Sequence, residues 1–394
     1  MNALDGIRVV DLTHAISGPT CTNALMQMGA DIVKVEPPRT GDGFRHYTEH
    51  AGESLMSVPF ASINAGKRSI ALDLKQDEAR AVLWQLIEQA DILVENYRPG
   101  VLARLGFPVD ALHRRNPRLV IVSITGFGQT GPLADWGAYD HIAQAMSGIA
   151  MLNAVDGEPR KLGLPIIDSF TGYVAVIGVM AALRRRDVTG VGEHVDVAML
   201  DSALKLANQT VAIHSYTGHT PGGTGNKGFR LVATSEFYPT ADGWIALGAN
   251  HQTQVEALLR VLGQEHMIGD PAFIDHAARV AHYDFVKAWL TDQLAQWQTK
   301  ELEARLTQAR VPAAMIRNVG QIVAHPHLSQ RGSLDAVTLP GHDRPLTVMG
   351  AGFSTDPVAT PVVPKLGGDT DTILTELGHA GDHIAALRAQ GAVA

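Results

Sequence analysis

Short β-branched runs alternate with helix-like segments through the first third of the chain, and this alternation constrains the fold more than any other feature. Strand-like runs occupy residues 7–12, 31–36, 69–74, 91–96 and 119–128, with helical patterns between them at 21–30, 77–90 and 109–116. Strands that alternate with helices pair in parallel, because each helix returns the chain to the same edge of the sheet. The pattern therefore predicts an α/β fold with a parallel sheet covered by helices.

The middle of the chain changes in character. Residues 168–186 form one apolar helical pattern, and residues 193–218 read as a strand followed by a second long helix. A glycine-rich stretch at 221–230 comes next. It precedes an alternating segment at 236–249 whose Asp-Gly pair predicts a hairpin, and amphipathic helices between 252 and 309 follow.

The domain organisation is predicted from length and from these changes of pattern. A chain of 394 residues is too long for one ordinary core. We expect a large domain over 1–225, a smaller α+β domain over 226–325 and a return to the large domain over 326–394. The tail contains strand-like runs and a predicted final helix at 369–378.

Composition narrows the class of protein. The chain is 45% hydrophobic and 18% charged, which is typical of a folded protein, and its net charge of −8 argues against a nucleic-acid partner. The single cysteine, Cys21, excludes an internal disulfide and is expected to be a small buried residue rather than a nucleophile. No signal-peptide pattern is seen at the start, and the apolar helical run at 173–183 is shorter than a membrane span. We expect a cytoplasmic protein without a membrane partner.

Several catalytic and binding motifs are absent or lack their context. Gly223, Gly225 and Gly228 satisfy G-x-G-x-x-G, but no strand precedes them and no helix follows, so a loop near a ligand or a domain linker is favoured over a dinucleotide site. Neither a P-loop nor a G-x-S-x-G elbow occurs. The histidine pairs at 325/327 and 379/383 have no supporting carboxylate motif, so no metal site is predicted.

Asp168 is the one carboxylate in the apolar stretch "KLGLPIIDSFTGYVAVIGVMAALRRR" at 161–186. It is predicted to be the N-cap of a helix over 169–183, because Asp accepts backbone N–H bonds well at that position. A helix N-terminus also favours the ionised carboxylate that a nucleophile requires. The residues alone leave both roles open.

Seven blocks of sequence resemble the family III CoA-transferases (the CaiB/BaiF, formyl-CoA transferase-like family), which share their fold with the α-methylacyl-CoA racemases. The blocks run in order from "LDGIRVVDLTHAISGPTCTNALMQMGADIVKVEPPRTGD" to "GEHVDVAMLDS", and they lie at 4–42, 64–75, 91–107, 116–132, 139–148, 168–172 and 192–202. The resemblance implies a parallel-sheet domain that binds CoA, a small domain inserted late in the chain and an interlocked homodimer. CoA and its thioesters are implied as substrates, with no permanently bound cofactor.

The resemblance also assigns site residues. Asp168 matches the catalytic aspartate, and Asp140 matches an acidic residue near it, with a helix cap as the alternative. The positions implied for CoA are Lys75, Asn96, Tyr97, Arg98, Arg104, Leu105 and Tyr139. The alternative for Lys75 and Arg98 is solvated surface charge. His14 matches a position near the acyl end of CoA, in a turn that includes Gly18 and Pro19.

The implied reaction is the transfer of CoA between carboxylic acids through an anhydride and a thioester on Asp168. A racemase is disfavoured, because Tyr139 stands where those enzymes carry a histidine and an unperturbed tyrosine is a poor base near neutral pH. A third alternative is an acyl-CoA-binding subunit of a hetero-oligomer. The groups that stabilise the oxyanion are not identified, and an amide of the glycine loop is one candidate.

Departures from the oxalate-using members bear on the acceptor acid. Ile16 replaces a glutamine, Gly137 replaces a lysine, and the loop at 222–228 is short, which together disfavour oxalate. Lys227 and Arg230 are candidates to meet a second carboxylate, so the acceptor is predicted to be a dicarboxylic acid of the succinate, citramalate or mesaconate type. The predicted substrate-binding residues are His14, Ile16, Asp140, Gly222, Gly223, Gly225, Lys227 and Arg230.

Overall fold

The computed structural model describes residues 2–47, 56–227, 231–353 and 361–394. The chain divides into two compact units. The larger contains Met1–Ala150, Lys161–Pro221 and Ser329–Ala394, and the smaller contains Met151–Arg160 and Gly222–Leu328. The segment Met151–Arg160 thus belongs to the smaller unit, whereas the sequence prediction put it in the large domain.

A six-stranded parallel sheet forms the centre of the larger unit, as the alternation predicted. Its strands run in the order β3-β2-β1-β4-β5-β6. They are β1 (Arg8–Asp11), β2 (Asp31–Glu36), β3 (Arg68–Ala71), β4 (Ile92–Glu95), β5 (Val120–Thr125) and β6 (His194–Ala198). Val9 and Val10 point to opposite faces, and both are buried, because helices cover the sheet on its two sides.

Helices connect and cover these strands. They are α1 (Ser17–Gln27), α2 (Val58–Asn64), α3 (Asp77–Gln89), α4 (Val101–Arg104), α5 (Val109–Arg115), α6 (Asp140–Met146), α7 (Ile149–Leu152), α8 (Ile166–Thr189), α9 (Met199–Leu206) and α10 (Asn208–Thr217). The second long helix predicted after β6 is two helices, because the chain leaves helical geometry at Ala207.

Helix α8 is longer than the apolar run at 173–183 suggested. By length and composition alone, its 24 residues are enough to cross a membrane, a test that the core helix of a soluble protein also passes. It packs against α1, α9 and strands β5 and β6. Ala175, Val179 and Ala182 lie on its buried side, in the cluster that covers one face of the sheet.

The smaller unit has its own antiparallel sheet and core. The sheet contains β7 (Phe237–Pro239), β8 (Trp244–Leu247) and β9 (Ala313–Met315), with α11 (Gln252–Val261), α12 (His276–Ala281), α13 (Tyr283–Leu294), α14 (Thr299–Gln308) and α15 (Val319–Val323) beside it. Strands β7 and β8 form the predicted hairpin around Asp242 and Gly243. The strand-like pattern at 229–234 forms no strand in its described part, residues 231–234.

From Ser329, within its first helix, the C-terminal segment belongs to the larger unit. It contains α16 (Pro326–Gln330), the antiparallel pair β10 (Leu334–Val337) and β11 (Leu346–Met349), and helices α17 (Thr370–Glu376) and α18 (Gly381–Ala389). The predicted final helix is α17, and α18 follows it. Ile373 and Leu387 bury their side chains in the core on one face of the parallel sheet.

Candidate active site

The carboxyl ends of β1 and β4 meet at the centre of the sheet, where the strand order reverses direction. From β1 the chain proceeds to β2 on one side, whereas β4 pairs with β1 on the other. Open α/β sheets bind ligands in the crevice outside the strand ends at such a switch point. The turn after β1 carries His14, and the turn after β4 carries Asn96 and Tyr97, so three predicted site residues lie there.

Asn96 joins the two turns through both atoms of its amide. Its Oδ1 accepts the His14 backbone N–H at 2.9 Å, and its Nδ2 donates to the His14 carbonyl at 2.9 Å. The Tyr97 ring meets the His14 imidazole edge-on, with centroids 5.0 Å apart. The structure therefore brings together the residue predicted at the acyl end of CoA and the segment predicted to bind CoA. The Asn96 side chain itself orients His14.

Two buried charged side chains form hydrogen bonds to the turn after β1. Lys34 Nζ donates to the Thr13 carbonyl at 2.7 Å and lies 3.1 Å from Asp42 Oδ2. Asp42 Oδ1 accepts the N–H of Ala15 at 3.1 Å. Ala15 has φ of 59°, a left-handed conformation that costs free energy for a residue with a side chain. These bonds fix a strained turn beside His14.

A second buried ion pair involves Asp11, the last residue of β1 before this turn. Lys67 Nζ contacts Asp11 Oδ2 at 3.1 Å and donates to Thr22 Oγ1 at 2.8 Å. Burial lowers the pKa of Lys67 to about 8, which Asp11 partly opposes. Although burial alone would raise it, the pKa of Asp11 is held well below its usual value by Lys67 and Lys34. The sequence analysis missed Lys34, Asp42 and Lys67, although a lysine inside an apolar strand is the kind of signal that marks a buried pair.

His14 is half-buried, and its pKa is lowered by burial and by the nearby charge of Lys34. Its imidazole is therefore neutral at physiological pH, able to donate one hydrogen bond and accept another. Cys21 is fully buried, and burial raises the pKa of its thiol to about 12. A thiol in that state is inert, as the sequence analysis expected.

Asp168 is the third residue of α8 and is not its N-cap, which corrects the sequence prediction. The N-cap is Pro165, and its side chain accepts no hydrogen bond from the helix. The Asp168 side chain is half-buried. Burial, and secondly the charge of Asp140, raises its pKa to about 7. The helix N-terminus was expected to favour the ionised carboxylate, and burial and Asp140 act in the opposite direction.

Asp140 begins α6 and caps α8 instead of its own helix. Its Oδ1 accepts the backbone N–H of Ile167 at 2.7 Å and that of Asp168 at 3.2 Å. Tyr139 precedes it as the N-cap of α6, is 76% exposed and stacks on His141 with centroids 6.2 Å apart. Asp140 thus lies beside Asp168 and caps a helix, and that helix is α8.

The predicted CoA cations lie on the surface of the larger unit. Lys75 and Arg98 are exposed, and a Cβ added at Gly137 would lie 2.9 Å from the Arg98 guanidinium. The Arg98 side chain thus occupies the space beside the position where oxalate-using members carry a lysine. Arg104 ends α4. Leu105 follows it and packs against the core on one face of the sheet.

The predicted substrate loop at 222–228 belongs to the smaller unit. Gly223 accommodates a close backbone contact, since a Cβ there would lie 2.1 Å from the Ala154 carbonyl oxygen. Gly222 has open space around it, and Gly225 has a φ of +61°. Lys227 Nζ lies 4.5 Å from the centroid of the Tyr283 ring. Gly228 and Arg230 lie outside the described residues.

Ile16 is in the larger unit, at the N-cap position of α1. It packs against the cluster that contains Phe44 and Phe60. Its side chain is half-buried, so it presents an apolar surface next to the turn that carries His14.

Comparisons with known proteins agree with this architecture. A model of CoA-transferase family III matches residues 4–370. The acetyl-CoA:oxalate CoA-transferase of Acetobacter aceti is 36% identical, over 92% of each chain. The succinate–glutarate CoA-transferase of Agrobacterium fabrum is 35% identical, over 95% of each. A crystal structure of a CaiB/BaiF family protein from Brucella suis superimposes with a TM-score of 0.85 at 31% identity, covering 96% of this chain and 100% of the other.

The chain belongs to CoA-transferase family III. The predicted fold class and the predicted enzyme class, a CoA-transferase, are confirmed.

Proposed function

We propose that this protein moves CoA from an acyl-CoA to a free carboxylic acid, with Asp168 as the nucleophile. The environment of the Asp168 carboxyl is the observation that supports this proposal. This carboxyl is half-buried at the start of α8, and within the described part of the chain no cation pairs with it. Perturbed carboxyls of this kind concentrate at catalytic sites.

The proposed reaction proceeds through covalent intermediates. An Asp168 carboxylate oxygen attacks the thioester carbon, the C–S bond breaks, and CoA leaves as the thiolate with a mixed anhydride left on Asp168. The thiolate then attacks the Asp168 carbonyl, which releases the donor acid and forms an aspartyl-CoA thioester. The acceptor carboxylate attacks that thioester, and the same steps in reverse produce the new acyl-CoA and free Asp168. One thioester replaces another, so no ATP is required.

The raised pKa of Asp168 suits this role. A carboxylate that is more basic than usual is a stronger nucleophile toward a thioester, and at a pKa of about 7 a large fraction is still ionised near neutral pH. The neutral imidazole of His14 is available to hydrogen-bond the acyl group without adding a charge.

Coenzyme A is proposed to lie across the carboxyl edge of the sheet as a substrate, without a permanently bound cofactor. Lys75, Arg98 and Arg104 are the cations proposed for its phosphates, since guanidinium and ammonium groups bind phosphate well. Tyr97, Leu105 and the exposed Tyr139 are proposed to contact the rest of the molecule, and Asn96 orients His14 within the same site.

The acceptor is proposed to be a dicarboxylic acid. The names of the relatives above include glutarate, succinate and oxalate, all of which carry two carboxyl groups. Gly222, Gly223, Gly225, Lys227 and Arg230 are the residues proposed to recognise the second carboxylate. Oxalate is the least favoured member of the class, because Ile16 offers an apolar surface where oxalate-using members carry an amide.

The protein is proposed to act as a cytoplasmic homodimer. Tyr173 and Ile177 on α8 are 52% and 69% exposed, and large apolar side chains exposed together are typical of a surface that a second subunit covers. Light scattering on the purified protein tests this proposal, and the mass of a single chain would contradict it.

The decisive experiment combines turnover with trapping. The protein is incubated with succinyl-CoA and a panel of mono- and dicarboxylic acids, then treated with hydroxylamine and mapped by mass spectrometry. We expect a new acyl-CoA and a hydroxamate on Asp168, and we expect Asp168→Ala to abolish both. Asp187→Ala, an exposed aspartate on the same helix, is the matched control and should retain both.

Two other outcomes would reject the proposal. Exchange of the α-proton of a 2-methylacyl-CoA in deuterated water, without transfer, would indicate a racemase. Tight binding of acyl-CoA with neither reaction would indicate a binding subunit.

A further inference from the structure

Gln144 on α6 is a buried polar residue that the transfer reaction does not explain. It is fully buried. Both ends of its amide are hydrogen-bonded. Nε2 donates to Asp140 Oδ2 at 2.6 Å, and Oε1 accepts the backbone N–H of Leu162 at 2.9 Å. A buried amide with both ends occupied fixes the groups on either side of it.

The groups on either side of Gln144 determine where α8 begins. The first N–H groups of a helix have no partner within it, and Pro165 has no side-chain acceptor to offer them. The N–H groups of Ile167 and Asp168 both donate to Asp140 Oδ1. Asp140 therefore supplies the cap from another helix, and its other oxygen is held by Gln144. Leu162, the second group that Gln144 holds, lies in the segment that leads into α8.

We propose that Gln144 is a positioning residue for the transfer reaction, acting through Asp140 to hold the first turn of α8 and the Asp168 carboxyl in reactive orientation. The proposal rests on the proposed function, because it takes Asp168 to be the nucleophile. Gln144 reaches the reacting group only through Asp140 and does not touch substrate in this arrangement. A displacement of about 1 Å at a reacting group is enough to cost two orders of magnitude in rate.

Glutamine suits this position better than its isosteres. Leucine would leave Asp140 Oδ2 and the Leu162 N–H without their partners in a part-buried position, which is costly. Glutamate would keep an acceptor for Leu162 but would place a third carboxyl beside Asp140 and Asp168. Helix α6 packs against α8 and α9, and the charged residues of α9, Asp201 and Lys205, are exposed. Asp140 is thus the carboxylate that a glutamate at this position would face most directly.

The test compares Gln144→Leu and Gln144→Glu with a matched control, Gln85→Leu. Gln85 also uses its side chain to hold a partner, His379, at a site remote from α8. Thermal unfolding first establishes which variants are folded. We expect Gln144→Leu to lower kcat about tenfold with little change in the KM for the donor, because orientation is lost and binding is kept. Gln85→Leu should match the wild type.

Gln144→Glu gives a signature that a purely structural role would not. Its kcat relative to wild type should be lowest at pH 8 and should recover as the pH falls toward 6, because a protonated glutamate can again donate to Asp140. Labelling of Asp168 by a water-soluble carbodiimide, followed by mass spectrometry, reports protonation of that carboxyl in the resting protein. In Gln144→Glu its midpoint should move to higher pH than in the wild type.

Two results would overturn the positioning role. One is a folded Gln144→Leu protein with wild-type kcat, and the other is a Gln144→Glu labelling midpoint equal to that of the wild type. Failure of the proposed function is read separately, as the absence of an Asp168 hydroxamate in the wild type. Carbodiimide labelling does not require turnover. It therefore tests whether Gln144 acts on Asp168 even if the wild type forms no hydroxamate.

Discussion

At the scale of single residues, the candidate site depends on two carboxyls with different environments. Asp140 accepts hydrogen bonds from two backbone N–H groups and from Gln144. Burial and the neighbouring negative charge of Asp140 both oppose ionisation of Asp168, and they raise its pKa to about 7. The same neighbour thus orients Asp168 through the backbone and makes its carboxylate more basic.

The substitution Asp140→Asn separates these two effects. The asparagine Oδ1 can still accept the N–H groups of α8, whereas its Nδ2 cannot accept the bond from Gln144 Nε2, and the negative charge beside Asp168 is gone. Because the nucleophile must be ionised, the rate falls as pH drops through the pKa of Asp168, and that limb lies near pH 7 in the wild type. We expect the limb to move about one pH unit lower.

The measurement is the pH dependence of single-turnover transfer from succinyl-CoA. Asp187→Asn should leave the profile in place. An unchanged profile in Asp140→Asn would show that the charge of Asp140 does not act on Asp168.

At the scale of secondary-structure elements, α8 is held in place by its contact with α1. Gly172, one turn after Asp168, lies so close to α1 that an added Cβ would be 2.7 Å from the Ser17 carbonyl oxygen and 2.8 Å from Thr20 Cβ. Glycine permits this approach because it has no side chain. The same helix, α1, follows the turn that carries His14, so its position affects both halves of the candidate site.

Replacement of Gly172 by alanine is expected to push α8 away from α1. The clash involves a backbone oxygen, which cannot rotate away, so the free energy of unfolding should fall by about 2 kcal/mol. Transfer activity should fall with it, because Asp168 moves with its helix. Chemical denaturation and kcat measure the two effects. The control is Gly381→Ala, where an added Cβ meets nothing within 4 Å, and equal stability of the two variants would contradict the packing argument.

At the scale of the whole molecule, the residues implicated in the chemistry belong to different units. Asp168, His14 and the proposed CoA residues are in the larger unit, whereas the glycine loop and Lys227 are in the smaller one. The Lys227 ammonium lies over the Tyr283 ring, a cation–π contact that leaves its positive charge intact. The proposed roles are therefore separate, with CoA transfer assigned to Asp168 and recognition of the second carboxylate assigned to Lys227.

Lys227→Ala tests that division. We expect the KM for a dicarboxylic acceptor such as glutarate to rise about tenfold, equivalent to roughly 1.4 kcal/mol of binding free energy. The KM for a monocarboxylic acceptor should not change, because it has no second carboxylate to lose a partner. Steady-state kinetics with both acids measure the effect, and Lys300→Ala, an exposed lysine of the same unit, is the control. Equal changes for both acids would argue against the assignment.

The sequence by itself determined the order of the elements and the position of the candidate nucleophile. Strands β1 to β6, the hairpin of β7 and β8, and the apolar helix that carries Asp168 all follow from periodicities that act over a few residues. The functional class followed from resemblance, because Asp168 within an apolar stretch is compatible with more than one role. Local pattern did not fix the ends of elements, so α18 and the break at Ala207 were missed.

Only the tertiary structure decided how Asp168 is surrounded. The Asp140 bond to its backbone spans 28 positions of the chain, and the bond from Leu162 to Gln144 spans 18. No local periodicity encodes such pairings. The helix N-terminus alone favours an ionised carboxylate, whereas burial and Asp140 act against ionisation and raise the pKa of Asp168 to about 7. Desolvation and long-range charge depend on what packs around a group, and that is a property of the folded chain as a whole.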